Sequence, residues 1–256
     1  MASSEDLKMA SRKHTRGKKV WLCLLIVSAA IAKAAIAQVP ADPAHIEVYI
    51  TPFYNSKGPA IEVGEFSKGL ASTNEAEFVA TIAKMKQAWN ELRFPEMYVA
   101  AIRLYDLGFR NESVYWFYSA QYRGRLFATL LDQEKMGSMG SPGFELKQAA
   151  NAFQQLVGPN INGYAFGDMD RLAQTVARVQ RENKTVPDME KLYPRVAFKS
   201  RSAWEGENAG LNEGLTGLLT MLNNDKARVK QTRISNGTEA RFSKLTSKDL
   251  PTSPRP

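Results

Sequence analysis

The residue types that most often carry enzyme chemistry are scarce in this 256-residue chain. Its two histidines are His14 and His45, and its one cysteine is Cys23. His14 and Cys23 lie in an N-terminal segment with the features of a removable export signal, so a cleaved protein would hold His45 alone. A Ser-His-Asp triad or a multi-histidine metal site would have to rest on that one residue. His45 has no H-x-x-x-H partner, and we interpret it as an ordinary edge residue beside a predicted strand.

Other patterns that could support catalysis are weak. Gly137, Gly140 and Gly143 are not followed by Lys-Ser/Thr and do not follow a strand, which predicts a linker and not a phosphate-binding loop. Glu205 and Glu207 point to different faces of a predicted helix. A carboxylate pair from distant parts of the chain, as in glycan-cleaving enzymes, is compatible with any spacing. The sequence favours a protein without enzymatic activity, metal or cofactor; the alternative is an envelope glycan-acting enzyme that uses two carboxylates.

Residues 1–37 have the three parts of a secretory signal. Basic residues precede an uncharged apolar run at 20–32, and small residues follow at Ala35 and Ala37. We therefore expect cleavage between Ala37 and Gln38 and a periplasmic or secreted bacterial protein. The alternative is an uncleaved anchor, but the run is shorter than the ~20 apolar residues that span a bilayer. Lys33 would also lie inside such an anchor.

The net charge of +8 is divided unevenly along the chain. Residues 1–37 carry +5 and residues 226–256 carry +6, which leaves −3 for residues 38–225. Nucleic-acid binding needs basic residues clustered on a folded surface, so this distribution argues against it. The 226–256 segment has few apolar residues and a Pro/Ser/Thr-rich end, which predicts a disordered tail. Such a basic tail could contact anionic envelope material.

The remaining segment, residues 38–225, is predicted to be one mainly α-helical domain with a short β-hairpin at its start. Apolar residues alternate along 45–51, which predicts a strand, and 61–66 is its expected partner across a turn at 55–59. Apolar spacing then predicts helices at 75–92, 95–107, 112–133, 144–157, 168–183 and 202–224, with loops at 136–143 and 158–167. The architecture expected is a bundle of helical hairpins.

Local signals place several of these helix ends. The spacing of Ser72 and Glu75 fits a capping box, Pro95 suits a helix start, Gly108 suits a helix stop, and Asp168 suits an N-cap. The last helix contains four glycines, which weaken it by about 1 kcal/mol each. Their close spacing predicts that another backbone packs tightly there. These glycines are Gly206, Gly210, Gly214 and Gly217.

The central helix pair carries a motif of small and aromatic residues. Tyr105-x-x-Gly108 is followed by Ser113-Val114, Phe117 and Ala120. This order, over residues 97–124, resembles one helical hairpin of the tetratricopeptide family, in which small residues let two antiparallel helices approach and the aromatic residue fills the groove. Arg110 stands where the family usually has an aromatic residue. No second copy follows 34 residues later, so a regular array is not expected. The resemblance implies a protein-binding surface.

The second helix of this pair is unusually aromatic. One interpretation is that it is central and buried on most sides; the other is that part of it forms an exposed recognition patch. The residues of the candidate patch are Tyr115, Trp116, Tyr118 and Tyr122. The motif assigns Phe117 to the seam between the helices, and Trp116 lies about 100° around the helix from it. The motif therefore predicts that Phe117→Ala destabilises the protein more than Trp116→Ala.

Together these features predict an exported, non-enzymatic helical domain that binds an unknown protein partner and no nucleic acid. Two cellular roles share that description. The protein could be an accessory or assembly factor of an envelope complex, or an immunity protein that neutralises a toxin.

Overall fold

The computed structural model describes residues 42–57 and 61–252. The described chain is mainly helical and has one short antiparallel β-hairpin, which confirms the predicted fold class. The export signal and its cleavage site lie outside the described residues. Of the helices that are described, none is long and apolar enough to cross a membrane.

The elements follow one another with short connections. The hairpin strands are β1 (Tyr49–Ile50) and β2 (Tyr54–Asn55). The helices are α1 (Ser67–Ala71), α2 (Glu75–Gln87), α3 (Phe94–Asp106), α4 (Arg110–Leu130), α5 (Pro142–Ala165), α6 (Met169–Glu182), α7 (Met189–Leu192), α8 (Trp204–Asn224), α9 (Lys226–Ser235) and α10 (Thr238–Phe242). Helix α4 is central, because α3, α5, α6 and α8 all pack against it.

The predicted partner of the first strand is wrong. β1 pairs with β2 directly after the chain reverses, and from the 61–66 segment Ile61 alone makes a single bridge to Tyr54. Gly64 adopts a left-handed conformation with φ of 64°, which ends extended backbone there. Ser67 also accepts a hydrogen bond from the Val63 N–H. These local bonds turn the chain into α1 and prevent a second strand.

Helices α2 to α4 begin close to the predicted residues, and α3 and α4 also end close to them, whereas α2 ends at Gln87, five residues before the predicted end. Helix α2 starts at Glu75 as expected, but its cap is Asn74, whose side chain accepts the N–H groups of residues 76 and 77. The Ser72 hydroxyl donates instead to the carboxylate of Glu77 at 2.7 Å. Pro95 lies in the first turn of α3, and Gly108 has a φ of 89° in the turn to α4. The helical hairpin over 97–124 is therefore present.

Helix α5 is longer than predicted, because the expected loop at 158–167 is helical through Ala165. Pro159 lacks an N–H and costs about 3 kcal/mol in a helix interior. Burial outweighs that cost, since Val157 and Ile161 are fully buried on either side of the proline. The Asn160 side chain also donates to the carbonyl oxygens of Asp42 (3.1 Å) and residue 45 (2.9 Å). These contacts tie α5 to the start of the described chain.

The glycines of α8 do not mark a tight backbone contact, contrary to the sequence prediction. A Cβ atom built at Gly206, Gly210, Gly214 or Gly217 would meet nothing within 4 Å. Helix α8 packs through other side chains, which include Trp204, Leu218 and Leu222. The glycines therefore lie along an open face of the helix.

The predicted disorder of the 226–256 tail is also wrong for its described part, 226–252. Helices α9 and α10 form there, and residues such as Val229, Arg233 and Phe242 are buried. Arg233 donates to the backbone oxygen of Gly163 at 2.7 Å and pairs with Glu239 at 2.8 Å. These few anchoring side chains provide the packing that the average composition of the tail does not reveal. Residues 253–256 lie outside the described range.

The glycine at 163 gives a direct test of this docked tail. A Cβ atom there would lie 2.4–2.8 Å from the Phe242 ring, so we expect Gly163→Ala to destabilise the protein by about 1–3 kcal/mol. The matched control is Gly210→Ala in α8, which has open space and should stabilise the helix by about 0.5–1 kcal/mol. Urea denaturation of both variants measures the difference. Equal stability of the two would contradict the docked position of α10.

Candidate functional site

The aromatic residues predicted as a recognition patch lie in the interior. Their exposed fractions are between 0% and 7%, so the buried interpretation is confirmed and the exposed patch is wrong. A helix with large apolar side chains on several sides needs neighbours on those sides, and four helices pack against α4. The residues concerned are Tyr115, Trp116, Tyr118 and Tyr122.

The tyrosine hydroxyls of this group fix neighbouring helices to α4. Tyr115 donates to the Glu182 carboxylate of α6 at 2.6 Å. Tyr122 donates to the side-chain oxygen of Asn208 in α8 at 2.6 Å. Buried hydroxyls need such partners, since an unpaired one would cost about 1–3 kcal/mol. Their role in this structure is to orient α6 and α8.

His45 holds the start of the described chain against the end of α3. Its Nδ1 lies 3.0 Å from Asp106 Oδ1, and the same oxygen accepts the Ile46 N–H at 2.8 Å. The His45 side chain is 44% exposed, whereas Asp106 is 5% exposed. Burial raises the pKa of Asp106 to about 6, although the Ile46 N–H and the imidazole act in the opposite direction. The pair is a tether for the N-terminal segment.

Asp106 should make stability depend on pH in a defined window. Its pKa is raised in the folded state, so its contribution is fully present below about pH 4 and is lost as pH rises through about 6. Asp106→Asn keeps the acceptor oxygen and does not ionise. We expect the variant's free energy of unfolding, relative to the native protein, to rise by about 2–3 kcal/mol between pH 4 and pH 7.5. Denaturant titrations across that range would contradict this if the difference stayed constant.

A pocket of about 240 Å³ opens where α2, the start of α4, α6 and the C-terminal segment meet. Its lining is polar and carries charges of both signs. The lining residues are Lys86, Asn111, Glu112, Arg178, Lys248, Asp249, Leu250 and Thr252. The mixture suits a ligand with its own donors and acceptors, such as a peptide.

The floor of this pocket is a buried ion pair. Lys86 Nζ lies 2.8 Å from Glu112 Oε1, and the two side chains are 7% and 19% exposed. The indole Nε1 of Trp116 donates to the same carboxylate oxygen at 3.1 Å. Charged groups with so little solvent need partners of this kind, because each is costly to bury alone. The aromatic core and the pocket are therefore directly connected.

One wall of the pocket is formed by Arg178 from α6. Its guanidinium lies 3.8 Å from the centre of the Tyr115 ring and donates to Glu182 Oε1 at 2.8 Å. Stacking and a carboxylate fix the orientation of this side chain. The wall is thus rigid before any ligand arrives.

The C-terminal segment 246–252, which we call the strap, crosses the α3–α4 turn without helix or strand structure, and its second half lines one side of this pocket. The Lys248 N–H donates to the Gly108 carbonyl oxygen at 2.8 Å. The Asn111 N–H donates to Ser247 Oγ at 3.0 Å, and Arg110 donates to the Thr246 carbonyl oxygen at 2.7 Å. We call the surface beside the strap, formed by the α3–α4 turn together with Lys86, Glu112 and Arg178, the strap groove. It holds the strap, a segment of the same chain, through main-chain and side-chain groups.

Sequence reasoning missed this site because it assigned the tail to disorder. One signal was available in the tail itself: Leu245 and Leu250 interrupt an otherwise polar run, and both pack against the core in part. The pairing of Lys86 with Glu112 joins two different helices and has no signature in the sequence. Within residues 42–57 and 61–252, no group of three or more His, Cys, Asp or Glu side chains could hold a metal ion.

Comparison with known proteins finds a distant relative, an uncharacterized protein of Haemophilus influenzae. The two sequences are 26% identical over 167 residues, and the matched region covers 59% of this chain and 62% of that protein. The chain thus spans less than two thirds of that relative's length. No protein-family model matches the chain, and no solved structure matches it significantly.

Proposed function

We propose that this chain is an exported, non-enzymatic protein-binding domain and that the strap groove is its binding surface. The observation that carries the proposal is the strap itself, an extended segment bound across the α3–α4 turn through main-chain and side-chain hydrogen bonds. Extended peptides are recognised in this way, with main-chain bonds supplying affinity and side-chain contacts supplying specificity. A partner protein could present such a segment.

The groove has the rigidity that peptide recognition requires. Its floor and one wall are fixed by the Lys86–Glu112 pair and by the stacking of Arg178 on Tyr115. A site with side chains already in place loses less conformational entropy on binding. The α3–α4 turn of the groove belongs to the helical hairpin that resembles a tetratricopeptide unit. We therefore assign the binding role that this resemblance implies to the turn and not to the aromatic residues of α4.

A photo-crosslinking experiment tests this proposal. Glu75 is half-exposed and pairs with Lys248 of the strap at 2.8 Å, so a photoreactive amino acid at 75 would sit at the edge of the groove. Glu213 in α8 is exposed and is not a groove residue, which makes it the matched control. We expect irradiation of cells to join position 75, and not position 213, to a second polypeptide. Absence of a specific adduct at 75 would contradict the proposal.

The export and enzyme questions have separate measurements. Mass spectrometry of the envelope fraction should find an N-terminus at or near Gln38; an intact Met1 in the mature protein would contradict export by cleavage.

Incubation of purified protein with peptidoglycan or polysaccharide should release no soluble fragments. Release of fragments would favour the two-carboxylate enzyme instead.

A further inference from the structure

The strap is held less firmly than the helices that precede it. Phe242 in α10 is 3% exposed and lies against Gly163, and Arg233 in α9 bonds to the same glycine. After Leu245 the chain has no regular secondary structure, and most of its side chains reach solvent. Exposed hydrogen bonds and ion pairs contribute little stability, so the strap can leave its site while α9 and α10 stay docked.

The strap contacts the groove through side chains at four of its positions, 247, 248, 250 and 252. Ser247 accepts from the turn, Lys248 pairs with Glu75 and lies 5.3 Å from the Phe109 ring, and Thr252 accepts from Lys86 at 3.0 Å. Leu250 is partly buried against the core. In chain order the strap therefore presents a hydroxyl, a base, an aliphatic side chain and a second hydroxyl to the groove.

We infer that the strap is an intramolecular competitor for the groove and that the partner offers an extended segment of the same pattern. The inference rests on the proposed function of the groove. A ligand that needs the groove empty binds with an affinity reduced by the fraction of molecules that are open. A partner segment must therefore displace the strap, and a weaker strap must bind it more tightly.

A peptide supplied in trans tests this inference. The probe is a fluorescein-labelled synthetic peptide with the sequence of residues 243–252, SKLTSKDLPT, titrated into purified full-length protein and followed by anisotropy. The strap is weakened by Ser247→Ala with Lys248→Glu, which removes one acceptor and places a negative charge beside Glu75. We expect this double variant to bind the peptide at least about tenfold more tightly than the native protein.

Three controls test whether the change in peptide affinity is specific to the strap and to the sequence of the peptide, and whether the variants are folded. Lys244→Glu makes the same charge change at an exposed position before the strap and should leave peptide affinity at the native value. A scrambled peptide, and one with Leu250→Asp, should bind neither protein. Thermal melting verifies that each variant is folded, and Lys248→Ala alone carries the same test if the double variant does not fold.

The outcomes separate the two proposals. Equal affinity of the native and weakened proteins for the peptide, or equal binding of the scrambled peptide, would overturn the strap as a competitor. A specific crosslink at position 75 combined with such a result would support the groove as a partner site and reject the strap's role. Tighter peptide binding without any cellular crosslink would support the strap's role and reject the proposed function.

Discussion

Lys86→Met is expected to lower the free energy of unfolding by about 3–5 kcal/mol, because it removes the ammonium that pairs with the poorly solvated Glu112 carboxylate. The Trp116 indole would remain as an uncharged donor to that carboxylate, and the charge of Arg178 acts on it from a greater distance. A loss of this size is a large part of the 5–15 kcal/mol that typically stabilises a domain. Guanidinium denaturation of the purified variant measures it directly.

Two companion variants isolate the cause of that loss. Lys84→Met makes the same substitution at an exposed position of α2 and should change stability by no more than about 0.5 kcal/mol. Lys86→Met combined with Glu112→Gln removes both charges and should recover most of the loss. If Lys86→Met behaved like Lys84→Met, the ion pair would not be a stabilising part of the groove floor.

The helices whose ends carry local chemical signals were predictable from the sequence. Glu75 begins α2, Pro95 lies in the first turn of α3, Gly108 has a positive φ in the turn after α3, and Asp168 caps α6 by accepting the N–H of Arg171. Each of these signals acts within a few residues, through a cap, a missing N–H or a positive φ. A single sequence contains all the information that they need.

Elements that depend on distant contacts were not predictable in the same way. Helix α5 continues through Pro159 because the residues around the proline are buried by other helices. The tail folds because Phe242 packs against Gly163 and Arg233 donates to the backbone oxygen of the same residue. The glycines of α8 were predicted to mark a tight contact, but α8 packs through other side chains. Tertiary packing routinely overrides local propensity, and its partners cannot be read from spacing.

The candidate site shows the same division. The helical hairpin at 97–124 was predicted from its own residues, and it provides the α3–α4 turn of the groove. The other parts are Lys86 from α2, Arg178 from α6 and the strap, which reach the site only through folding. The exposed aromatic patch, inferred from the high aromatic content of α4, was wrong. The buried alternative applies, because α5, α6 and α8 pack on α4 in addition to α3.

Trp116 is expected to contribute at least as much to folding as Phe117, in contrast to the order that the hairpin motif predicts. The motif placed Phe117 in the seam and turned Trp116 away from it, yet both side chains are fully buried. Trp116 points toward the turn that follows α2, where its ring meets the Trp89 ring edge-on with a centroid separation of 4.9 Å. Phe117 packs on Tyr98 of α3, at 5.8 Å. The seam with α3 is therefore not the only apolar contact that this part of α4 makes.

Truncation of either side chain should cost about 3–5 kcal/mol, the usual range for buried aromatic residues. Trp116→Ala should lie at the upper end, since it removes the larger side chain and also the Nε1 donor to Glu112. Trp116→Phe keeps most of the ring and should fall between Trp116→Ala and the native protein. Denaturant unfolding of the three variants gives the order. A nearly neutral Trp116→Ala would mean that this side chain is not part of the core, and it would restore the surface-patch interpretation. A large loss of stability would mean that any failure of binding by this variant follows from unfolding.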